Sequence, residues 1–88
     1  MLSSFSGSKA QYAGFTLVVV SEFNEWRVLA YAPGVTLHGT RQFSETKARE
    51  HARFLVDLYL REQRHEEPPG GEIAWGPTSS HDWVVWRG

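Results

Sequence analysis

Cysteine is missing from the chain altogether. Disulfide frameworks, thiolate zinc sites and thiol catalysis are excluded by that fact alone. No surplus of either charge exists: nine Lys plus Arg stand against ten Asp plus Glu, a net of -1. Domains that coat nucleic acid usually carry a strong basic excess, so this balance argues against a polyanion-coating protein and leaves room only for a local basic patch. Long apolar runs are absent too. The longest is Leu17-Val18-Val19-Val20, far short of the ~20 residues a membrane span requires. Met1 to Ser8 does not read as a basic segment followed by an apolar stretch, so no secretory leader is expected and the cytoplasm is the expected compartment.

What is present suffices for one domain. The chain has 88 residues, 41% apolar and 22% charged, near average globular usage. A chain this short buries only about 60–65% of the surface its unfolded form exposes. Residues 1–13, mostly Ser, Gly, Lys and Gln, read as a loose tail. Residues 14–88 read as a single domain.

Phe15 to Ser21 is β-branched and aromatic with almost nothing polar, which predicts a strand covered on both faces. Glu22 to Glu25 has hairpin length, with Asn24 as the turn residue. Trp26 to Ala32 alternates, setting Trp26, Val28 and Ala30 against Arg27, Leu29 and Tyr31. After Pro33-Gly34, a half-buried strand is expected from Val35 to Phe43, with Val35, Leu37 and Phe43 on the inner face and Thr36, His38, Thr40 and Gln42 on the wet one. Gly39 within it marks a bulge or a break.

Ser44 is a good N-cap and Glu45 suits the positive end of a helix dipole. The helix is expected to run to about Glu67, where Pro68-Pro69-Gly70-Gly71 stops it. Ala48, Ala52, Leu55 and Tyr59 make the core stripe. Glu50, Arg53, Asp57, Arg61 and Arg64 make a charged stripe read as a solvated face. Between Phe54 and Leu60 only Asp57 is polar, so apolar positions cover far more than the ~100° a surface helix needs. Surplus apolar surface predicts association, and Phe54, Val56, Leu58 and Leu60 are the candidate interface with a partner or a second copy. Short strands are expected at Glu72 to Trp75 and Asp82 to Arg87. The order is β-β-β-α-β-β: an α+β, two-layer domain with one long helix on an antiparallel sheet.

The chemistry is sparse. His38, His51, His65 and His81 include no pair at ligand spacing on one helix face, so no metal is expected. No Gly-x-Ser-x-Gly elbow and no phosphate loop is present. Glu66-Glu67 and the Glu22, Glu25 pair lie in polar connections, where carboxyls are normally solvated rather than poised for acid–base work. Neither an enzyme nor a cofactor is expected. The chain carries four tryptophans, and Trp83, Trp86 and Arg87 stand near His81. Such a strand could stack unpaired bases, giving a single-stranded nucleic-acid binder as the alternative. Filling a small core or anchoring an interface is the favoured use of these rings.

Tyr31-Ala32-Pro33-Gly34-Val35-Thr36-Leu37-His38-Gly39, followed by Phe43-Ser44-Glu45-Thr46-Lys47-Ala48, resembles the HicB-like antitoxin domain. The preceding hairpin and Leu58-Tyr59-Leu60 are also similar, and the resemblance covers about residues 15–62. It departs from the family in the longer Gly39 to Ser44 stretch and in Lys47-Ala48 where Glu-Ala is usual. No helix-turn-helix or ribbon-helix-helix segment follows. The resemblance implies a domain that binds and masks a small RNA-cleaving toxin, or a stand-alone member that does something else; the first reading is a non-enzymatic, HicB-like interaction module that forms a homodimer and binds a protein partner. A phage-encoded or host-defence inhibitor that occludes a larger partner is a third reading.

Overall fold

The computed structural model describes residues 6–22 and 24–78. Its elements are β1 (Ser6–Tyr12), β2 (Phe15–Glu22), β3 (Glu25–Ala32), β4 (Val35–His38), α1 (Glu45–Gln63) and β5 (Gly76–Pro77). The five strands form one antiparallel sheet in the order β4-β3-β2-β1-β5. The helix lies across β2 and β3 on one face, so the fold is α+β.

Tight turns set the register. Tyr12 pairs with Phe15, so Ala13 and Gly14 form a two-residue turn with φ of 55° and 84°. Two positive φ values match the right-handed strand twist of a hairpin. Ala32 pairs with Val35 around Pro33 and Gly34, and Gly34 takes φ 79°. Proline fixes the first turn position and glycine alone accepts the second without strain. Asn24, at φ 65°, turns the chain between β2 and β3.

Two segments of the sheet differ from the sequence reading. Residues expected in a loose tail form β1, which pairs with β2 along its whole length from Ser6 to Tyr12. Its Ser, Gly and Lys content hid it, because ladder bonds to β2, and to β5 at Ser8 and Lys9, stabilise the strand without a run of apolar side chains. Glu72 to Trp75 is not a strand; only Gly76 and Pro77 pair, with Lys9 and Ser8 of β1. The strand expected over Asp82 to Arg87 lies outside the described residues.

The helix begins as expected, with Ser44 Oγ accepting the Lys47 N–H at 3.1 Å. It ends earlier, at Gln63. His65 turns left-handed at φ 56°, and the Glu66 N–H returns to the Leu60 carbonyl at 2.9 Å. A left-handed residue past the last turn satisfies orphan carbonyls and stops the helix before the prolines are reached.

The core lies between sheet and helix. Phe15, Leu17 and Val19 of β2, with Ala30 of β3, are fully buried against Ala48, Ala52 and Val56. Ala48 and Ala52 let the helix approach closely. The buried row runs Ala48, Ala52, Val56, Leu60, while Leu55 and Tyr59 are only half-buried beside it. The core stripe is thus rotated toward Val56 and Leu60. Val18, Val20 and Leu29, on the opposite face of the sheet, are also buried, with Tyr31 packed against them. That accounts for the unbroken apolar character of β2.

Beyond β4 the ladder slips. The Gly39 N–H donates to the Val28 carbonyl, and then Trp26 and Gln42 exchange both backbone bonds. Thr40 and Arg41 together oppose the single Arg27, which is a β-bulge. A bulge reverses the inward and outward alternation. Phe43, expected on the inner face with Leu37, is therefore 74% exposed.

Candidate interaction surface

The two flanks of α1 differ in kind. On the β1 side, polar groups lock the helix to the sheet. The Ser8 hydroxyl donates to Glu45 at 2.6 Å, and Arg49 reaches both Ser8 Oγ and Glu45 at 2.7 Å. Trp75 lies under the Arg49 guanidinium at 5.2 Å. The Ser8 bond, aided by Arg49, holds the Glu45 carboxyl below its usual range against the opposing effect of burial. One turn further on, the Tyr12 hydroxyl donates to Asp57 at 2.6 Å, and Arg53 sits over the Tyr12 ring. Arg53 also donates to the Gly71 carbonyl, tying down the chain after the helix. Two of the five residues of the charged stripe, Arg53 and Asp57, thus form a packed clamp rather than a solvated face, while Glu50, Arg61 and Arg64 are exposed. Ser8 is 4% exposed, so its hydroxyl serves the clamp and is shielded from any substrate.

On the β4 side the helix leaves a groove of about 430 Å³, lined by Thr36, Leu37, Leu55, Leu58, Tyr59 and Glu62. Its walls are mainly apolar. Leu58 lines it and is 43% exposed, and Phe54, one helical turn earlier, is 55% exposed. The Phe54 ring stacks on His51 at 6.0 Å between centroids. His51 Nε2 accepts the Thr40 N–H at 3.0 Å, which joins the helix to the bulge. Burial lowers the His51 pKa, keeping the ring neutral and able to accept that bond. A side chain at position 39 would put its Cβ within 2.6 Å of the His51 ring and 2.9 Å of Val28 Cβ. Glycine at that position is what lets the imidazole lie against the strand.

The groove divides the four candidate interface residues. Leu58 lines it, and Phe54, one helical turn earlier, is exposed without lining it. Val56 and Leu60 do neither: they are 0% and 3% exposed and fill the core under the helix. The reason is angular, since residues two apart on a helix point ~200° apart, so Val56 cannot share a face with Phe54 or Leu58. Leu37, Leu55 and Tyr59 line the groove and were not read as interface residues. The signal of Leu37 lies in the alternation of β4 and that of Leu55 and Tyr59 in the helical stripe, and both are indistinguishable from ordinary core patterning. His81, Trp83, Trp86 and Arg87 lie outside the described residues.

A second hollow of about 350 Å³, near the bulge, is lined by Glu25, Arg27, Val28, His38, Gly39 and Arg41. Glu25 and Arg41 are joined there at 2.9 Å. Among the described residues, no three His, Asp or Glu side chains converge as metal ligands, and no helix is long and apolar enough to cross a membrane. No protein-family model, curated protein or solved structure matches the chain.

Proposed function

We propose that this chain is a non-enzymatic protein-interaction module, working in the cytoplasm in the manner of a HicB-like antitoxin that binds and masks a partner. One observation carries the reading. Phe54 and Leu58 stand exposed beside an apolar groove, on a helix whose other flank is fully engaged with its own sheet. Clustered large apolar side chains around a groove are how soluble domains hold protein partners. The resemblance of residues 15–62 to the antitoxin domain adds the nature of the partner, a small RNA-cleaving protein. Masking needs only occlusion of the partner's surface, and no reacting group on this chain is required.

Tagged wild-type and Leu58→Asp chains expressed in native cells, followed by mass spectrometry, test the reading. The wild type is expected to enrich a protein that the variant does not, and the purified partner is expected to cut RNA more slowly when the wild type is added. Equal capture by both baits, or undiminished RNA cleavage, removes it.

A further inference from the structure

We infer that His51 is a proton-operated latch on the interaction surface: the neutral ring ties α1 to the bulge at Thr40, and the protonated ring lets go of both the bulge and Phe54. The consequence for a partner rests on the protein-interaction reading. The bulge leaves Thr40 in need of the ring. Its neighbours keep their places in the ladder, Gly39 through the Val28 carbonyl at 3.0 Å and Gln42 through Trp26 at 2.8 and 3.0 Å. The Thr40 N–H turns instead to the helix, where His51 Nε2 accepts it at 3.0 Å. Only a neutral imidazole with its hydrogen on Nδ1 can accept there.

A second proton removes that acceptor. The ring then carries a hydrogen on Nε2, and it faces the Thr40 N–H as donor to donor, which no hydrogen bond can satisfy. A shift toward the Thr40 hydroxyl, 3.4 Å from Nε2, gains an acceptor for the ring and still leaves the amide without one. Movement inward is blocked. The ring packs so closely on Gly39 that a Cβ there would stand 2.6 Å from its Cδ2, and the buried Val28 lies behind. His51 itself is only half-buried. Solvent therefore delivers the proton, and the charged ring swings outward to be hydrated.

Phe54 goes with it. The two rings stack at 6.0 Å between centroids and 21° from parallel. Phe54 is in turn the i,i+4 neighbour of Leu58, which lines the groove. Lifting His51 removes the surface on which Phe54 lies. It also unties the helix from the bulge one turn before Leu55, a wall of the groove. Apolar side chains that are prearranged at neutral pH lose that arrangement in acid, and a partner that reads them is held less tightly.

The charges around the ring do not supply the switch. On α1, Lys47 and Glu50 precede His51 with opposite signs. On the bulge, Arg41 is joined to Glu25 at 2.9 Å. On β3, Val28 meets the ring without charge, and Arg27 belongs to the opposite face of the sheet, across from Val20. His38 of β4 lines the hollow beyond the bulge, a second imidazole that the test must separate from His51. Burial withholds the proton from His51 at neutral pH, so the latch is closed there.

NMR of the purified full-length chain from about pH 7.5 to about pH 5 tests the latch. The His51 ring and the Thr40 amide are expected to share one midpoint. Protection of the Thr40 amide from hydrogen exchange is expected to fall about tenfold for each unit by which that midpoint lies below a free imidazole's. The Gly39 and Gln42 amides are expected to keep their protection. His51→Gln, an acceptor that does not titrate, is expected to hold Thr40 at every pH, and His38→Gln to leave the coupling unchanged. A Thr40 amide indifferent to the titration of His51, a response that persists in His51→Gln, or a loss of protection at Thr40 and throughout the helix together overturns the latch. Tagged wild type is expected to retain less of its cellular partner in the acid wash than in the neutral one, and His51→Gln equal amounts in both. Equal retention by the wild type overturns the regulation. Equal capture by wild type and Leu58→Asp removes the interaction reading instead, and the NMR response still decides the latch.

Discussion

Tyr12 of β1 donates its hydroxyl to Asp57 of α1 at 2.6 Å, across 45 residues of sequence. Burial, then the Asp57 bond and charge, push the Tyr12 pKa above its ordinary value, with the Gly70 backbone and Arg53 opposing. Tyr12→Phe is expected to cost about 1.5–3 kcal/mol, the range for a bond to a charged group, measured by urea unfolding. A raised folded pKa makes this contribution complete below about pH 10 and lost as pH climbs through the folded value. Wild type and Tyr12→Phe should therefore converge in stability above that pH.

Leu58 and Leu60 are two residues apart and should behave oppositely. Leu60→Ala leaves a cavity in the core and is expected to cost about 2–5 kcal/mol. Leu58→Ala, on the groove rim, should shift the denaturant midpoint of the monomer by no more than about 0.5 kcal/mol in free energy. Equal losses at both positions would mean that Leu58 is part of the core.

The lowered pKa of Glu45 links the clamp to acid stability. Its carboxylate contributes fully above the ordinary glutamate value, and the contribution disappears as pH falls through the lower folded value. Glu45→Gln should lower the melting temperature at pH 7 and flatten its decline between about pH 4.5 and pH 3. An unchanged acid limb in thermal melts would show that the Ser8–Glu45–Arg49 cluster does not link protonation to folding.

His51 acts in the neutral range. Its folded pKa lies below the ordinary 6.5 because of burial, so the unfolded chain takes up a proton first as pH falls. Stability is whole above about pH 6.5 and declines toward pH 5. His51→Gln keeps an acceptor for the Thr40 N–H and cannot titrate, so its melting temperature should lose this dependence. An imidazole titration by NMR should give a midpoint below that of a solvated histidine.

Gly39→Ala forces a Cβ into contact with the His51 ring and Val28. It is expected to cost more than about 1 kcal/mol and to shift the His51 ring resonances. A neutral substitution would mean that the bulge yields readily.

The sequence alone determined two of the hairpin turns and the helix start, because Pro33-Gly34, Asn24 and Ser44 act through their own backbone and side-chain chemistry. It also determined the apolar β2, where an unbroken β-branched run leaves few alternatives to a strand buried on both sides. Tertiary structure decided the rest. Ser6 to Tyr12 is a strand only because β2 offers it a ladder, and nothing local demands that conformation. Val56 and Leu60 went inward and Phe54 and Leu58 outward because the helix rotated to seat Ala48 and Ala52 on the sheet, a choice between faces that a seven-residue apolar run cannot make by itself. The bulge at Thr40 and Arg41 turned Phe43 to the surface, since one extra residue in a ladder reverses every side chain beyond it. Local chemistry chose the elements; which faces remained open to another protein depended on how those elements closed on one another.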